Sequence, residues 1–215
     1  MKAIVKSNLS FLLPYAAFLL LGSILMLLST KTSIHLHFNA FHNRFFDSFS
    51  TLVTNLGEGT IVVLVFIILL TVKFRYALII ALSNIISALI TQGLKHTLFS
   101  DALRPKKFFE GIHDLYFVPG VENWDYNSFP SGHTTCAFAL YFSLAMITEN
   151  RMYKLLLFIV ALTVGYSRIY LSQHFFEDVY AGSIVGVIAA FAVYWFIQRK
   201  ERPFLEGSLV GLFRK

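Results

Sequence analysis

Six stretches of this chain are apolar over about the length that a helix needs to cross a lipid bilayer, and this limits the fold more than any other feature. A spanning helix requires about 20 mainly apolar residues. Inside hydrocarbon only helices and closed barrels satisfy their own backbone hydrogen bonds. The stretches run from Leu9 to Leu28, Gly59 to Val72, Tyr76 to Leu98, Pro130 to Ile147, Tyr153 to Leu171 and Phe175 to Ile197. The second is the shortest in strictly apolar residues, and its helix is expected to begin a few residues earlier. The first is long for a signal peptide and lacks an Ala-x-Ala-like cleavage site, so it reads as a retained span. The expected fold is all-α: one six-transmembrane-helix bundle over residues 1–215, with a cytoplasmic tail at 199–215.

Composition agrees. The chain is 56% hydrophobic and 14% charged, against about 25% charged in soluble domains. The single cysteine, Cys136, excludes an intrachain disulfide framework and a cysteine-based zinc cluster. It reads as packing. The formal charge of +6 does not imply a nucleic-acid partner, because in a membrane protein the distribution of basic residues outweighs their sum. The N-terminus, the 73–75 and 149–154 turns and the tail hold 11 Lys or Arg and 3 acidic residues. The segments 29–58, 95–129 and 168–178 hold 7 and 9. The positive-inside rule therefore puts both termini in the cytoplasm and the second set of loops outside. No internal repeat or low-complexity linker interrupts the chain. The 99–129 loop, rich in aromatic and charged residues, is expected to fold as a cap over the outer helix ends.

Two polar islands fall on that outer side. The first is Pro130-Ser131-Gly132-His133. It follows a turn-like Asp125-Tyr126-Asn127-Ser128, and proline suits the first turn of a helix, so the fourth helix is expected to open there. The free N–H groups and positive dipole end of a helix start favour an anion. Gly132 allows close backbone approach to an oxyanion, Ser131 offers a hydroxyl donor, and His133 can give a proton to a leaving group. The second island is Ser167-Arg168, then His174, then Asp178. Arg168 is a permanently charged fork suited to phosphate oxygens. His174 and Asp178, four apart, share a face if helical, and a carboxylate on one ring nitrogen leaves the other free as nucleophile. A chain break near Ser172-Gln173 would turn Arg168 and His174 into one pocket. Lys95, with Arg104-Pro105, adds positive charge for a dianionic group.

Other polar and aromatic residues take plainer readings. His35, His37, His42, His96 and His113 read as interfacial, and His35-x-His37 lacks the carboxylates or cysteines of a metal site. Glu58, in Gly57-Glu58-Gly59, either lines the pocket or faces water, and water is the favoured reading. Phe175, Phe176, Tyr180, Tyr194 and Trp195 read as lipid-facing or interfacial anchors.

These segments resemble the type 2 phosphatidic acid phosphatase family, the superfamily of lipid phosphate phosphatases and vanadium haloperoxidases. Its pattern is a Lys followed by Arg-Pro, then Pro-Ser-Gly-His, then Ser-Arg-x5-His-x3-Asp. The second and third motifs match at every fixed position, and the resemblance covers about residues 56–198. The first departs: eight residues separate Lys95 from Arg104, where the family usually has six, and Lys106 or Lys107 is a substitute for Lys95. The 24 residues between Pro105 and Pro130 form a long insert beside many bacterial members. The resemblance implies a phosphatase of the bacterial inner membrane acting on a lipid phosphate at its outer face. His174 would be the nucleophile that forms a phosphohistidine, Asp178 would orient it, and His133 would be the acid. Lys95, Arg104, Arg168, Ser131 and Gly132 would hold the phosphoryl oxygens. It implies no cofactor and no metal, since fixed cations take that role. A phosphotransferase with the same phosphohistidine, or a non-catalytic lipid carrier of the same fold, are the competing readings. A haloperoxidase is disfavoured because that branch is soluble or loosely attached.

Overall fold

In the computed structural model the described residues, 1–199 and 202–213, form helices and no strand. Lys200, Glu201, Arg214 and Lys215 of the basic tail lie outside them. The order is α1 (Lys2–Ser7), α2 (Leu9–Leu28), α3 (Lys31–Asn39), α4 (Arg44–Thr54), α5 (Gly59–Val72), α6 (Phe74–Thr97), α7 (Pro105–Phe109), α8 (Gly132–Ile147), α9 (Arg151–Tyr170), α10 (Phe176–Gln198) and α11 (Leu209–Phe213). Side-chain caps define several starts. Thr30 accepts from Ser33 N, Asn43 from Phe46 N, and Asn150 from Met152 N and Tyr153 N.

By length and composition, α2, α6, α9 and α10 reach the size of a membrane span. A fifth arises if α4, its 3-10 turn Asn55–Gly57 and α5 count as one span bent by 53°. That bent pair accounts for the shortness of the second apolar stretch. The fourth expected span is α8, an apolar helix of 16 residues. At about 1.5 Å per residue this is shorter than the bilayer core. Most of α8 is buried against its neighbours, so its length follows protein contacts and not lipid thickness. Many large apolar side chains on the surrounding helices, such as Leu20, Leu27, Ile68, Leu89 and Ile188, are exposed. That is the expected surface of a protein solvated by lipid.

Helices α8 and α10 approach each other closely, and glycine permits it. A Cβ at Gly182 would stand 2.7 Å from the Ser131 carbonyl oxygen, and one at Gly186 would stand 2.5 Å from that of Thr135 and 2.9 Å from Ala139 N. Small residues four apart let helix backbones meet in a membrane, where packing and not the hydrophobic effect drives association. On the other side of α8, Phe11 of α2 packs against Phe142 and Phe158 at ring separations of 4.8 and 5.5 Å. The buried Lys154 of α9 ties down the α1–α2 junction, donating to Ser7 O at 2.7 Å and Asn8 Oδ1 at 2.8 Å.

The Gly186 contact can be tested directly. Gly186→Ala should destabilise the protein by about 1–3 kcal/mol through overpacking, lowering the thermal midpoint in detergent. Gly93→Ala, whose added methyl meets no atom within 4 Å, should leave the midpoint unchanged or slightly higher.

Candidate active site

The turn between α9 and α10 builds the centre of the site. Helix α9 ends at Tyr170, and Ser172 takes a left-handed backbone conformation at φ +52°. Gln173 N and His174 N then both donate to Arg168 O, at 3.0 and 3.1 Å. This is the break expected near Ser172-Gln173. His174 therefore precedes α10 instead of lying on it, which corrects the expectation that it shares a helical face with Asp178. The two meet because Asp178, in the first turn of α10, folds back over the helix start. Its Oδ2 accepts from Phe175 N at 2.9 Å, from Ser128 Oγ at 2.5 Å and from His174 Nδ1 at 3.4 Å. With the ring proton on Nδ1, the Nε2 lone pair of His174 is free. Burial holds the His174 ring well below its ordinary pKa, aided by the charges of Arg104, Arg168 and Lys95. The imidazole is thus neutral near pH 7.

Helix α8 begins at Gly132 with Ser131 as its cap, so Pro130 stands outside the first turn where it was expected. A serine hydroxyl is the better cap, and it sets the start two residues later. The Ser131 oxygen accepts from Thr134 Oγ1 at 2.9 Å, so it serves the helix start and is wholly buried. Ser131 N donates to Asp178 O at 3.0 Å, which joins the two motifs through their backbones. A Cβ at Gly132 would meet nothing within 4 Å. That position faces a cavity of about 760 Å³, which Glu58, His133 and Thr135 also line before it continues between apolar side chains such as Val62, Phe66 and Ile85.

Lys95 and Arg104 converge despite their long spacing. Lys95 Nζ donates to Asn127 O at 2.7 Å, and Arg104 reaches the same oxygen with Nη2 at 3.4 Å. Arg104 also donates to Tyr126 O at 2.9 Å and Gln173 O at 3.2 Å. The extra residues fall after α6 ends at Thr97, and Asn127, at φ +57°, turns its carbonyl to both cations. Lys106 and Lys107 are not substitutes for Lys95: they pair with Asp125 and Glu110. Arg168 Nη1 donates to Thr54 Oγ1 at 2.5 Å, and its buried Nε has no partner. Carbonyls and a hydroxyl thus hold the three cations, and among the described residues no carboxylate pairs with them. Their charge is available to an anion.

Ser128, Thr54 and the Asn127 carbonyl were not singled out from the sequence. Ser128 was legible only as part of a turn, and a backbone carbonyl has no residue signature. Other expectations change. His35 is buried, bonded through Nε2 to Ser172 Oγ at 3.3 Å and stacked on Phe109, so it supports the His174 turn and is not interfacial. His42 packs between Tyr116 and Tyr170 beside Asp47. Phe175 is buried under the Lys31 ammonium instead of facing lipid. Glu58 lines the cavity, with Oε1 3.9 Å from His133 Nε2. Among the described residues no group of His, Cys, Asp and Glu side chains converges as a metal-ligand set.

A neutral imidazole held by a carboxylate, beside three cations that no carboxylate pairs with among the described residues, equips a site for phosphoryl transfer. Residues 73–202, more than half of the chain, match the PAP2 superfamily, and the chain belongs to that superfamily. It is similar to the lipid A 4'-phosphatase of Porphyromonas gingivalis, with 29% identity over 78% of this chain and 73% of that protein. It is also similar to the undecaprenyl-diphosphatase BcrC of Bacillus subtilis, with 39% identity over 37% of this chain and 39% of that one. The crystal structure of Aquifex aeolicus LpxE superposes with a TM-score of 0.69 at 25% identity, covering 77% of this chain and 94% of that one. Family and fold together make this a multi-pass membrane phosphatase of the lipid phosphatase class.

The Asp178 anchor gives a measurable expectation. Ser128→Ala removes a donor from a buried carboxylate and should cost about 1–3 kcal/mol of stability. Ser128→Thr, which keeps the hydroxyl, should recover more than half of the loss in the same thermal melt.

Proposed function

We propose that the chain hydrolyses a lipid phosphate or diphosphate through a phosphohistidine, with no metal, at the outer face of the bacterial inner membrane. The observation that carries this reading is the His174–Asp178 pair, set beside Lys95, Arg104 and Arg168, which make no ion pair with a carboxylate among the described residues. His174 Nε2 attacks phosphorus, and a P–N bond forms as the bond to the lipid oxygen breaks. His133 gives its proton to that departing oxygen. Water then attacks the phosphohistidine and yields a proton to the now neutral His133. The P–N bond breaks, phosphate leaves, and both rings regain their starting states. Lys95, Arg104, Arg168 and the Gly132 amide stabilise charge on the phosphoryl oxygens, and Ser131 holds the Gly132 turn in place. Fixed cations do what a divalent ion does elsewhere.

The charge pattern of the loops supports six crossings, with both termini in the cytoplasm and the site outside. The 99–129 loop acts as the cap, and its contacts with the α9–α10 turn support this: Gln173 donates to Glu122 O, and Arg104 to Gln173 O. Undecaprenyl diphosphate, lipid A phosphate, phosphatidylglycerol phosphate and phosphatidic acid are the candidate substrates. Lipid A phosphate is favoured, because similarity to a lipid A 4'-phosphatase runs over most of the chain while similarity to the diphosphatase covers a smaller part.

Phosphate release from those four lipids by the purified protein tests the proposal. His174→Ala should abolish release by roughly three orders of magnitude or more. Label passing to an acceptor lipid without free phosphate would make the protein a transferase, and activity in cells that survives His174→Ala would make it a carrier. The pH profile supplies a further expectation. The nucleophile must be neutral and the acid protonated, so the rate should be bell-shaped. Because His174 is depressed, the acid limb should lie below the ordinary imidazole value of about 6.5, and a limb at or above it would contradict the buried neutral ring.

A further inference from the structure

Gly57-Glu58-Gly59 has no part in the reaction as written, yet the fold carries it to the acid. Gly57 ends the 3-10 turn ahead of α5. A Cβ there would stand 2.6 Å from Val164 Cγ1, 2.9 Å from His133 O and 3.3 Å from His133 Cβ. Only a glycine lets this turn lie against the start of α8. The next residue, Glu58, is the N-cap of α5 but makes no side-chain cap bond. Its Oε1 stands instead 3.9 Å from His133 Nε2, with the two side chains 44% and 32% exposed. Both line the same cavity.

The other charges around His133 are of one sign. Arg168 from α9, Arg104 from the loop before α7, and Lys95 from α6 all act on it. His174 faces it from the α9–α10 turn. Cys136, one turn along α8, is a titratable neighbour on the cavity wall. Cations placed to bind phosphate therefore lie around the ring that must supply a proton. Among the described residues Glu58 is the carboxylate that makes an ion-pair contact with that ring.

We propose that Glu58 is a positioning residue that keeps His133 protonated and turned into the cavity, so that the general acid stays loaded beside three cations. This rests on the reading of His133 as the acid. A carboxylate within about 4–6 Å favours the charged form of an imidazole, and partial exposure weakens the effect without abolishing it.

The test uses the purified full chain in detergent and whichever of the four lipids it hydrolyses fastest, with para-nitrophenyl phosphate as a second substrate. Loss of the carboxylate makes His133 lose its proton at lower pH, so in Glu58→Gln the alkaline limb of kcat/KM should move down by about half to one pH unit. Glu58→Asp, which keeps the charge, should hold the limb near its original position. The nitrophenolate leaves without a proton, so Glu58→Gln should slow the lipid reaction about tenfold or more at the alkaline side and leave the aryl phosphate rate nearly unchanged. An unmoved limb, or equal losses on both substrates, overturns the assignment. His133→Ala separates this outcome from failure of the underlying reading. If that variant hydrolyses the lipid at the full rate, His133 is not the acid and the reaction scheme itself falls.

Discussion

One oxygen atom, Asp178 Oδ2, ties the site to the fold. It receives the Phe175 amide that starts α10, the Ser128 hydroxyl that anchors the segment before α8, and the imidazole of His174. The carbonyl of the same residue receives the Ser131 amide. Helix start, loop anchor, ring orientation and the register of α8 on α10 thus converge on one side chain and its backbone. Bonds to an ionised acceptor are roughly twice as strong as neutral ones. The burial that excludes water from the carboxylate also demands that its partners stay in place. An orienting group so heavily committed cannot move away from the ring it orients.

That register is only as good as the crossing beneath it. The Ser131 carbonyl lies where a side chain at residue 182 would be, and the Thr135 carbonyl where one at residue 186 would be. The glycines of α10 therefore set the height at which Gly132 and His133 meet the His174 turn. The cations work against this compactness. Lys95 and Arg168 are buried, and taking such charges out of water costs several kcal/mol each even after relaxation. Carbonyls of the Asn127 turn and the Thr54 hydroxyl hold them without cancelling their charge. The helix packing must bear that cost, and in the proposed reaction a bound phosphate would offset part of it. Preorganisation of this kind would mean that the donors need not reorganise as charge develops on the phosphoryl oxygens.

Apolar length made the helices legible, and motif spacing pointed to the polar residues that the fold gathers at the α9–α10 turn and the start of α8, because both are properties of the local chain. The break at Ser172-Gln173 was readable for the same reason: residues six apart on one straight helix point to different sides. What could not be read was tertiary. The long interval from Lys95 to Arg104 closes only because Asn127, far along the chain, presents one carbonyl to both. His35 looks like a surface residue until α3 brings it inward, and the 3-10 turn carries the still half-exposed Glu58 to His133. The start of α8 was misplaced by two residues because proline's preference for a first turn competes with a serine cap, and the cap prevails. The shortness of α8 is likewise a consequence of its neighbours, which bury it on most sides.

The two histidines occupy different surroundings, and the proposed chemistry needs that difference. His174 is 1% exposed and is absent from the cavity wall, whereas His133 lines it. A nucleophile gains from a dry site, where the neutral ring is favoured and hydration does not blunt its lone pair. An acid must meet an oxygen that stays attached to the lipid when phosphate is taken. The cavity leads from His133 and Gly132 toward the apolar walls of α5 and α6, and the same three cations, Lys95, Arg104 and Arg168, act on both rings. In the proposed reaction the phosphoryl group is drawn toward the charges while the lipid oxygen remains at the cavity. The scissile bond is then strung between the two rings. Exchanging their roles would put the lipid oxygen at the buried ring and away from the cavity, so the proposed assignment of nucleophile and acid is supported by where open space is found as well as by the spacing of the motifs.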